Sequence, residues 1–263
     1  MNADMTLPAD VEEILRLALA GMREALGGNL VRVYLYGSLA LGDFDPATSD
    51  IDFWAVTERP LSDAEFAALA ALHKQLSRLP NPFADQLEGK NIDRGEAWRH
   101  QPGQRIPVIY RGEAMGWSQP GANWVIDRWV VRERGIILFG PDPKTLIAPV
   151  SAEDLRAATR ARLRDWADFA NRPDDPGWQE HLGEKAYFVE TMCRMLHTLA
   201  TGATQTKPQA VAWALSTLPE PWRTTVERSQ AWRGDQTRDD AFNPEVRRFI
   251  LWTVEQGEAA DAS

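Results

Sequence analysis

Cysteine is all but missing from this chain. Cys193 stands alone, which excludes an internal disulfide and any zinc site built from several thiolates. Histidine is scarce too: His73, His100, His181 and His197 are scattered without ligand spacing. No apolar run reaches the roughly 20 residues that a membrane-spanning helix needs, and Arg16 interrupts the best of them, "ILRLALAGM". The first residues show no basic segment leading into an apolar one, so no secretory signal is read. A cytoplasmic protein without a membrane partner is expected. Positive charge is also short. Lys and Arg number 29 against 38 Asp and Glu, leaving a formal charge of −9 and a pI near 5.1. That balance argues against a nucleic-acid partner, which calls for a basic footprint, and suits a cationic one.

What is present is an ordinary globular mixture, 44% apolar and 25% charged over 263 residues. The length accommodates one large domain or two modest ones. Apolar residues at Val11, Ile14, Leu15, Ala18, Met22 and Leu26 recur with helical period over 8–26, and Gly27-Gly28 ends the run. "LVRVYLY" and "IDFWAV" read as strands, and Ser62 with Glu65 forms a capping box for a helix to about Leu79. "FADQLEGKNI" gives a third strand. Residues 95–120, rich in Gly, Pro and Trp, read as irregular. A helix over 122–134 then leads into the strand "GIILF" and a Gly-Pro turn. Beyond residue 150 the pattern is helical, with segments near 151–171, 184–201, 208–217, 220–231 and 244–256, the last opened by Asn243-Pro244 as cap and first residue. The expected organisation is two domains, 1–150 and 151–263.

The chemistry concentrates in "YLYGSLALGDFDPATSDIDFWAV", residues 34–56. Gly37 and Gly42 are spaced as in a P-loop, but that loop needs Lys and then Ser or Thr after its second glycine. Here Asp43 and Phe44 follow, so another arrangement applies. Gly37-Ser38 falls where a strand gives way to a helix, where backbone amides approach an anion closely. After eleven intervening residues, Asp50 and Asp52 project from one face of the next strand. Two carboxylates that close repel unless a cation separates them. Hard divalent ions such as Mg2+ take oxygen ligands and bridge carboxylates to phosphates, which makes the pair a device for polarising a nucleotide triphosphate. Trp117 and Trp124 lie in or beside the irregular stretch, and either would serve to stack on an acceptor or meet its amines; Trp117 is preferred.

This stretch resembles the nucleotidyltransferase signature of the DNA polymerase β-like superfamily: Gly-Ser, a loop, then Asp-x-Asp. The resemblance implies a third carboxylate on a neighbouring strand, for which Glu88 in "QLEGKNI" is the candidate in preference to Asp85. "VVRERGIILFGPDPKTLIAPVSAEDL" and "CRMLHTLATGATQTKPQAVAWALSTLP" are similar to the C-terminal half of the aminoglycoside (streptomycin/spectinomycin) adenylyltransferases. Membership would imply an α+β fold class, with an N-terminal nucleotidyltransferase domain of mixed β-sheet and helices and a C-terminal α-helical bundle. It would make Glu88 the catalytic base beside the metal-binding Asp50 and Asp52, assign Arg194 and Lys207 with Gly37 and Ser38 to ATP, and give Glu180 and Glu184 to a cationic drug. Glutamates stand where the family has aspartates, and Tyr187 replaces an amide residue. The expected reaction is Mg2+-dependent transfer of AMP from ATP to an aminoglycoside hydroxyl, releasing pyrophosphate, by a monomer. Two other readings stay open: the same transfer to another small alcohol or a protein hydroxyl, and a non-catalytic module that binds a partner protein.

One geometric expectation concerns the helix over 184–201. Val189, Met192, Cys193, Leu196, Leu199 and Ala200 form an apolar stripe. Glu180, Glu184 and Arg194 fall on the opposite side if the helix is continuous, with Glu184 and Arg194 about 15 Å apart along its axis.

Overall fold

Residues alternating between two apolar layers build a six-stranded mixed sheet in the order β5-β4-β3-β2-β1-β6. The computed structural model describes residues 7–47, 49–101 and 103–259, and the chain divides into two units, Met1–Pro149 and Val150–Ser263. In the first, the order along the chain is α1 (Ala9–Leu26), β1 (Leu30–Leu35), α2 (Gly37–Leu41), β2 (Ile51–Thr57), α3 (Asp63–Leu76), β3 (Leu87–Asp93), α4 (Arg94–Trp98), β4 (Ile106–Ile109), β5 (Gly116–Ser118), α5 (Asn123–Arg134) and β6 (Ile136–Phe139). Strands β2 and β3 are parallel and all other neighbours antiparallel.

The period of two along the strands sorts the core. Val33, Leu35, Ile51, Phe53, Ala55 and Leu87 join the apolar faces of α1 and α3. Tyr34, Tyr36, Trp54, Val56, Ile92 and Val108 point the other way, toward Trp124, Val130 and Val131 of α5. Helix α1 buries the six positions its period singles out. Helix α3 starts at the Ser62/Glu65 capping box and ends at Leu76, short of Leu79.

Residues 95–120 are not irregular. They hold most of α4 and all of β4 and β5, and the segment is anchored by polar contacts. Glu96 is fully buried, and its carboxylate accepts from the Trp124 indole at 2.6 Å and the Gln101 amide at 2.8 Å. Arg128 donates to the backbone carbonyls of Glu96 and Trp98.

His73 of α3 is buried against Phe53, ring centroids 5.8 Å apart, and neither ring nitrogen has a partner. Burial alone drives its pKa from 6.5 down to about 4. Above pH 6.5 the ring is neutral in folded and unfolded chains alike. Between 6.5 and 4 the unfolded chain takes a proton that the folded one refuses, so stability falls with pH across that window. The expected loss at pH 4.5 is roughly 2–3 kcal/mol relative to pH 7. Urea unfolding at the two values checks it, because His73→Leu should remove that share of the acid sensitivity.

The second unit is helical: α6 (Ala152–Ala170), α7 (Leu182–Thr201), α8 (Lys207–Thr217), α9 (Trp222–Gln230) and α10 (Asn243–Ala259). A capping box of Ser151 and Asp154 opens α6, and another of Thr206 and Gln209 opens α8. Asn243 does not cap α10 as expected. It already has helical angles, after a 3-10 turn at Asp240–Phe242, and its amide donates to the Trp178 carbonyl at 3.0 Å. Helix α7 is packed by α6, α8, α9 and α10, and it is buried nearly all round. The expected division into an apolar stripe and a broad polar face does not hold: Lys185, Glu190, Thr191, His197 and Thr198 are buried, whereas Ala200 is exposed.

Candidate active site

Three carboxylates meet on the α5 side of the sheet because of register. Asp50 immediately precedes β2, and Asp52, two residues on, leaves the same face. In the parallel β2–β3 pair Asp52 sits opposite Glu88, so residues 36 apart in sequence become lateral neighbours. The loop between α2 and β2 folds on itself to deliver Asp50: the Ala47 amide donates to the Asp45 carboxylate at 2.9 Å, and the Asp45 amide to the Ser49 hydroxyl at 3.0 Å. Asp85, the other acid weighed at this strand, precedes β3, is exposed, and accepts from the Gln86 side chain.

The turn from β1 into α2 closes over Asp52. The Tyr36 amide donates to the Asp52 carbonyl at 3.1 Å. Gly37 then takes φ +62°, and a Cβ built there would stand 1.8 Å from Asp52 Oδ2. Only glycine lets the backbone lie this close to the carboxylate. The Ser38 hydroxyl is enclosed without a hydrogen-bond partner.

The electrostatics follow from crowding. Burial first, then the charge of Asp50, holds the Asp52 carboxyl well above the usual carboxylate range; Lys90 opposes the shift, while Asp127 and Glu88 add to it. Glu88 is raised by the same two leading causes, against which the Arg111 amide (3.2 Å from Oε1), Lys90 and the Arg111 charge act. The row offers oxygen donors of one sign, which fits a hard divalent cation. Among the described residues, no three His, Cys, Asp or Glu side chains are drawn into one metal-binding group; the acids stand as a row along one sheet face, with Asp52 and Glu88 in register.

Trp117 does not join them. It pairs with Pro107 in β5 and stacks on Phe66 of α3 at 5.5 Å with the rings 6° from parallel, on the sheet face opposite the acids. Trp124 is the tryptophan on the carboxylate face, but it is buried and stacked on Trp54 at 4.6 Å. Lys90, Asp127 and the Arg111 amide were not singled out from the sequence. Period-two alternation from Glu88 would have found Lys90.

In the helical unit Glu180 is not on α7. It ends the 3-10 turn Pro176–Gln179 in extended conformation, and His181 caps the helix by accepting from the Glu184 amide. The amides of Leu182 and Gly183 are met by the carbonyls of Thr237 and Asp235. Glu184 is raised by burial, with Glu180 adding and His181 and Lys207 opposing. Lys207, at the start of α8, places its ammonium 4.4 Å from the Tyr187 ring centroid. Glu184, Tyr187 and Arg194 are the open positions of that flank, within about 80° of arc at 100° per residue. The unit thus gathers two acids, two cations and an exposed aromatic along one strip.

Comparison with known proteins agrees with both halves. Residues 16–102 match the family model described as nucleotidyltransferase domain, and residues 145–256 match that described as aminoglycoside adenylyltransferase, C-terminal domain. A spectinomycin 9-adenylyltransferase of Campylobacter jejuni is 27% identical over 84% of each chain. An aminoglycoside (3'') (9) adenylyltransferase of Shigella flexneri is 25% identical over 92% of this chain and 93% of its own. A crystal structure of a spectinomycin adenyltransferase from Enterococcus faecialis, with ATP and spectinomycin, has the same fold, with a TM-score of 0.72 at 19% identity, covering 94% of this chain and 99% of that one. The chain thus carries a nucleotidyltransferase domain followed by an aminoglycoside adenylyltransferase C-terminal domain, and it is an enzyme of the nucleotidyltransferase type.

Proposed function

We propose that the protein transfers AMP from ATP to a hydroxyl of an aminoglycoside or aminocyclitol of the streptomycin/spectinomycin type, and so inactivates the antibiotic. The observation that carries the reading is the register pairing of Asp52 with Glu88 under the Gly37 turn. It supports a candidate base beside a metal-type carboxylate pair, next to a Gly-Ser turn of the kind whose amides meet phosphate.

Asp50, Asp52 and Glu88 would hold a divalent ion such as Mg2+, which supplies charge stabilisation on phosphate oxygens when bound. The chain's own groups do the rest. Glu88 takes the proton from the acceptor hydroxyl, whose oxygen bonds to the α-phosphorus as the bond to the β-phosphate oxygen breaks and pyrophosphate departs. Gly37 amide and Ser38 hydroxyl serve the phosphates, and the unpartnered Ser38 hydroxyl supports that role. Within the helical unit, Arg194 and Lys207 are the groups suited to phosphates, and Glu184 with Glu180 those suited to an acceptor's ammonium groups. Sharing the strip between a lysine and two acids suits ligands of both signs. The names of the relatives divide between spectinomycin alone and a broader aminoglycoside description, so both drugs belong in the test. Incubation with ATP and magnesium, followed by mass spectrometry of streptomycin and spectinomycin, should show at least one drug carrying an added adenylyl group. Unmodified drugs in both arms would overturn the acceptor assignment; modification of another small alcohol would redirect it.

A further inference from the structure

One charged pair on the carboxylate face has no part in the reading above. Lys90 follows Glu88 by two residues on β3, so its side chain leaves the same face of the sheet. It sits in register with Trp54 of β2 and Val108 of β4, which makes Asp52 its diagonal neighbour across the strands. Its ammonium is ion-paired with Asp127 of α5 and lies 5.2 Å from the Tyr36 ring centroid and 5.5 Å from that of Trp124. Lysine is a point charge on a flexible four-carbon stem, and both carboxylates are within its electrical reach: its charge acts on Asp52 and on Glu88 alike. Without a tether its most favourable destination is the acidic row itself. Asp127 supplies the tether from a separate helix, and the two aromatic rings bound the ammonium from the sides.

Resting on the reading of Asp50, Asp52 and Glu88 as metal holders, we infer that Lys90 and Asp127 form a positioning pair, in which Asp127 keeps the Lys90 ammonium off the carboxylates so that they stay open to a divalent ion. The pair leaves a fixed positive charge behind the row, and it withdraws the one competing cation that the strand itself brings there.

The test titrates Mn2+ into the nucleotide-free protein, followed by electron paramagnetic resonance, in wild type, Asp127→Asn, Asp127→Glu and the double variant Lys90→Met/Asp127→Asn. Asp127→Asn is expected to weaken Mn2+ binding about tenfold. The double variant should return to within about threefold of wild type, because the released lysine is gone; a merely structural fault at position 127 would not be repaired by a second substitution. Asp127→Glu keeps the charge and should bind as wild type. In turnover assays the same Asp127→Asn change should raise the metal half-saturation while the rate at saturating metal stays within about threefold of wild type. Asp127→Asn protein binding Mn2+ as well as wild type, or a double variant as weak as the single, overturns the inference while leaving the metal reading intact. Wild-type protein that binds no Mn2+ removes the metal reading, and the inference with it.

Discussion

Glu88→Gln is expected to lower the rate of pyrophosphate release by two to four orders of magnitude, the usual worth of a positioned general base, without lowering the melting temperature. The two halves of that expectation have different causes. The amide is isosteric and sits in the same strand position, but it has no carboxylate lone pair basic enough to take the acceptor proton. Stability should hold or rise because Glu88 is one of the crowded acids: its pKa is raised by burial and by Asp50, so its ionised form costs the folded state free energy at neutral pH. Removing the charge relieves that cost. Asp85→Asn provides the contrast. Asp85 is the nearest acid that competes for the role on sequence, yet it is exposed, lies before β3, and is held by Gln86 at 2.6 Å; its loss should leave turnover within about threefold. A coupled pyrophosphate assay with thermal unfolding of both variants reads all four numbers. Glu88→Gln protein working at the wild-type rate would remove Glu88 from the chemistry. Asp50→Asn/Asp52→Asn protein that still protected cells from the drug as well as wild type would favour the non-catalytic module over the enzyme.

The choice of Glu88 illustrates what the sequence carries and what it hides. Glycine followed by serine at a strand end, and Asp-x-Asp on the next strand, are signals written in consecutive residues, so Gly37, Ser38, Asp50 and Asp52 are legible without a structure. The helix starts at Ser62 and Ser151 are legible for the same reason, since each cap and its partner are three residues apart. Lateral neighbours are not. Lys90 reaches Asp127 across 37 residues, and nothing local to either residue announces the other. The segment 95–120 misleads for a related reason. Strand β4 has four residues, including Pro107, and β5 has three, opening on Gly116, so neither is long enough to show a period. What fixes them is pairing, β4 with β3 and β5 with β4, and a buried glutamate that collects donors from Trp124 and Gln101.

Helix α7 shows the opposite failure, in which a visible period is overridden. Polar side chains at 185, 190 and 198 are the kind that solvent normally takes, but each finds its partner inside the unit. Lys185 donates to the Glu180 carbonyl at 2.9 Å, Glu190 pairs with Arg233, and the Thr198 hydroxyl donates to the Arg194 carbonyl at 2.9 Å. Buried polar groups with satisfied hydrogen bonds carry little penalty, so the bundle can close around this helix and leave only a narrow strip open. The same closure explains Glu180. The carbonyls of Thr237 and Asp235 take the helix's first amides, the helix begins at Leu182, and Glu180 is left in extended chain just ahead of it.

Gly37→Ala should abolish most turnover without unfolding the protein, and Gly42→Ala, at the other end of the same short helix, separates the reasons. Both glycines have positive φ, +62° and +77°, so each alanine incurs about 1–2 kcal/mol of backbone strain. Their surroundings differ. At Gly42 an added Cβ meets nothing within 4 Å, whereas at Gly37 it would stand 1.8 Å from Asp52 Oδ2 and 2.8 Å from Cγ. Backbone retreat at Gly37 is opposed by the 3.1 Å hydrogen bond from the Tyr36 amide to the Asp52 carbonyl, so the Asp52 carboxylate has to swing away. A misplacement of that size costs about 100-fold in rate where geometry sets the reaction. Both variants should therefore lose similar stability in urea unfolding, but only Gly37→Ala should lose turnover, by about 100-fold or more, with Gly42→Ala within about threefold of wild type. Equal turnover in the two variants would mean that the close approach of Gly37 to Asp52 serves the fold alone. A gap of two orders of magnitude would make the bare backbone at position 37 a requirement of the acid it covers.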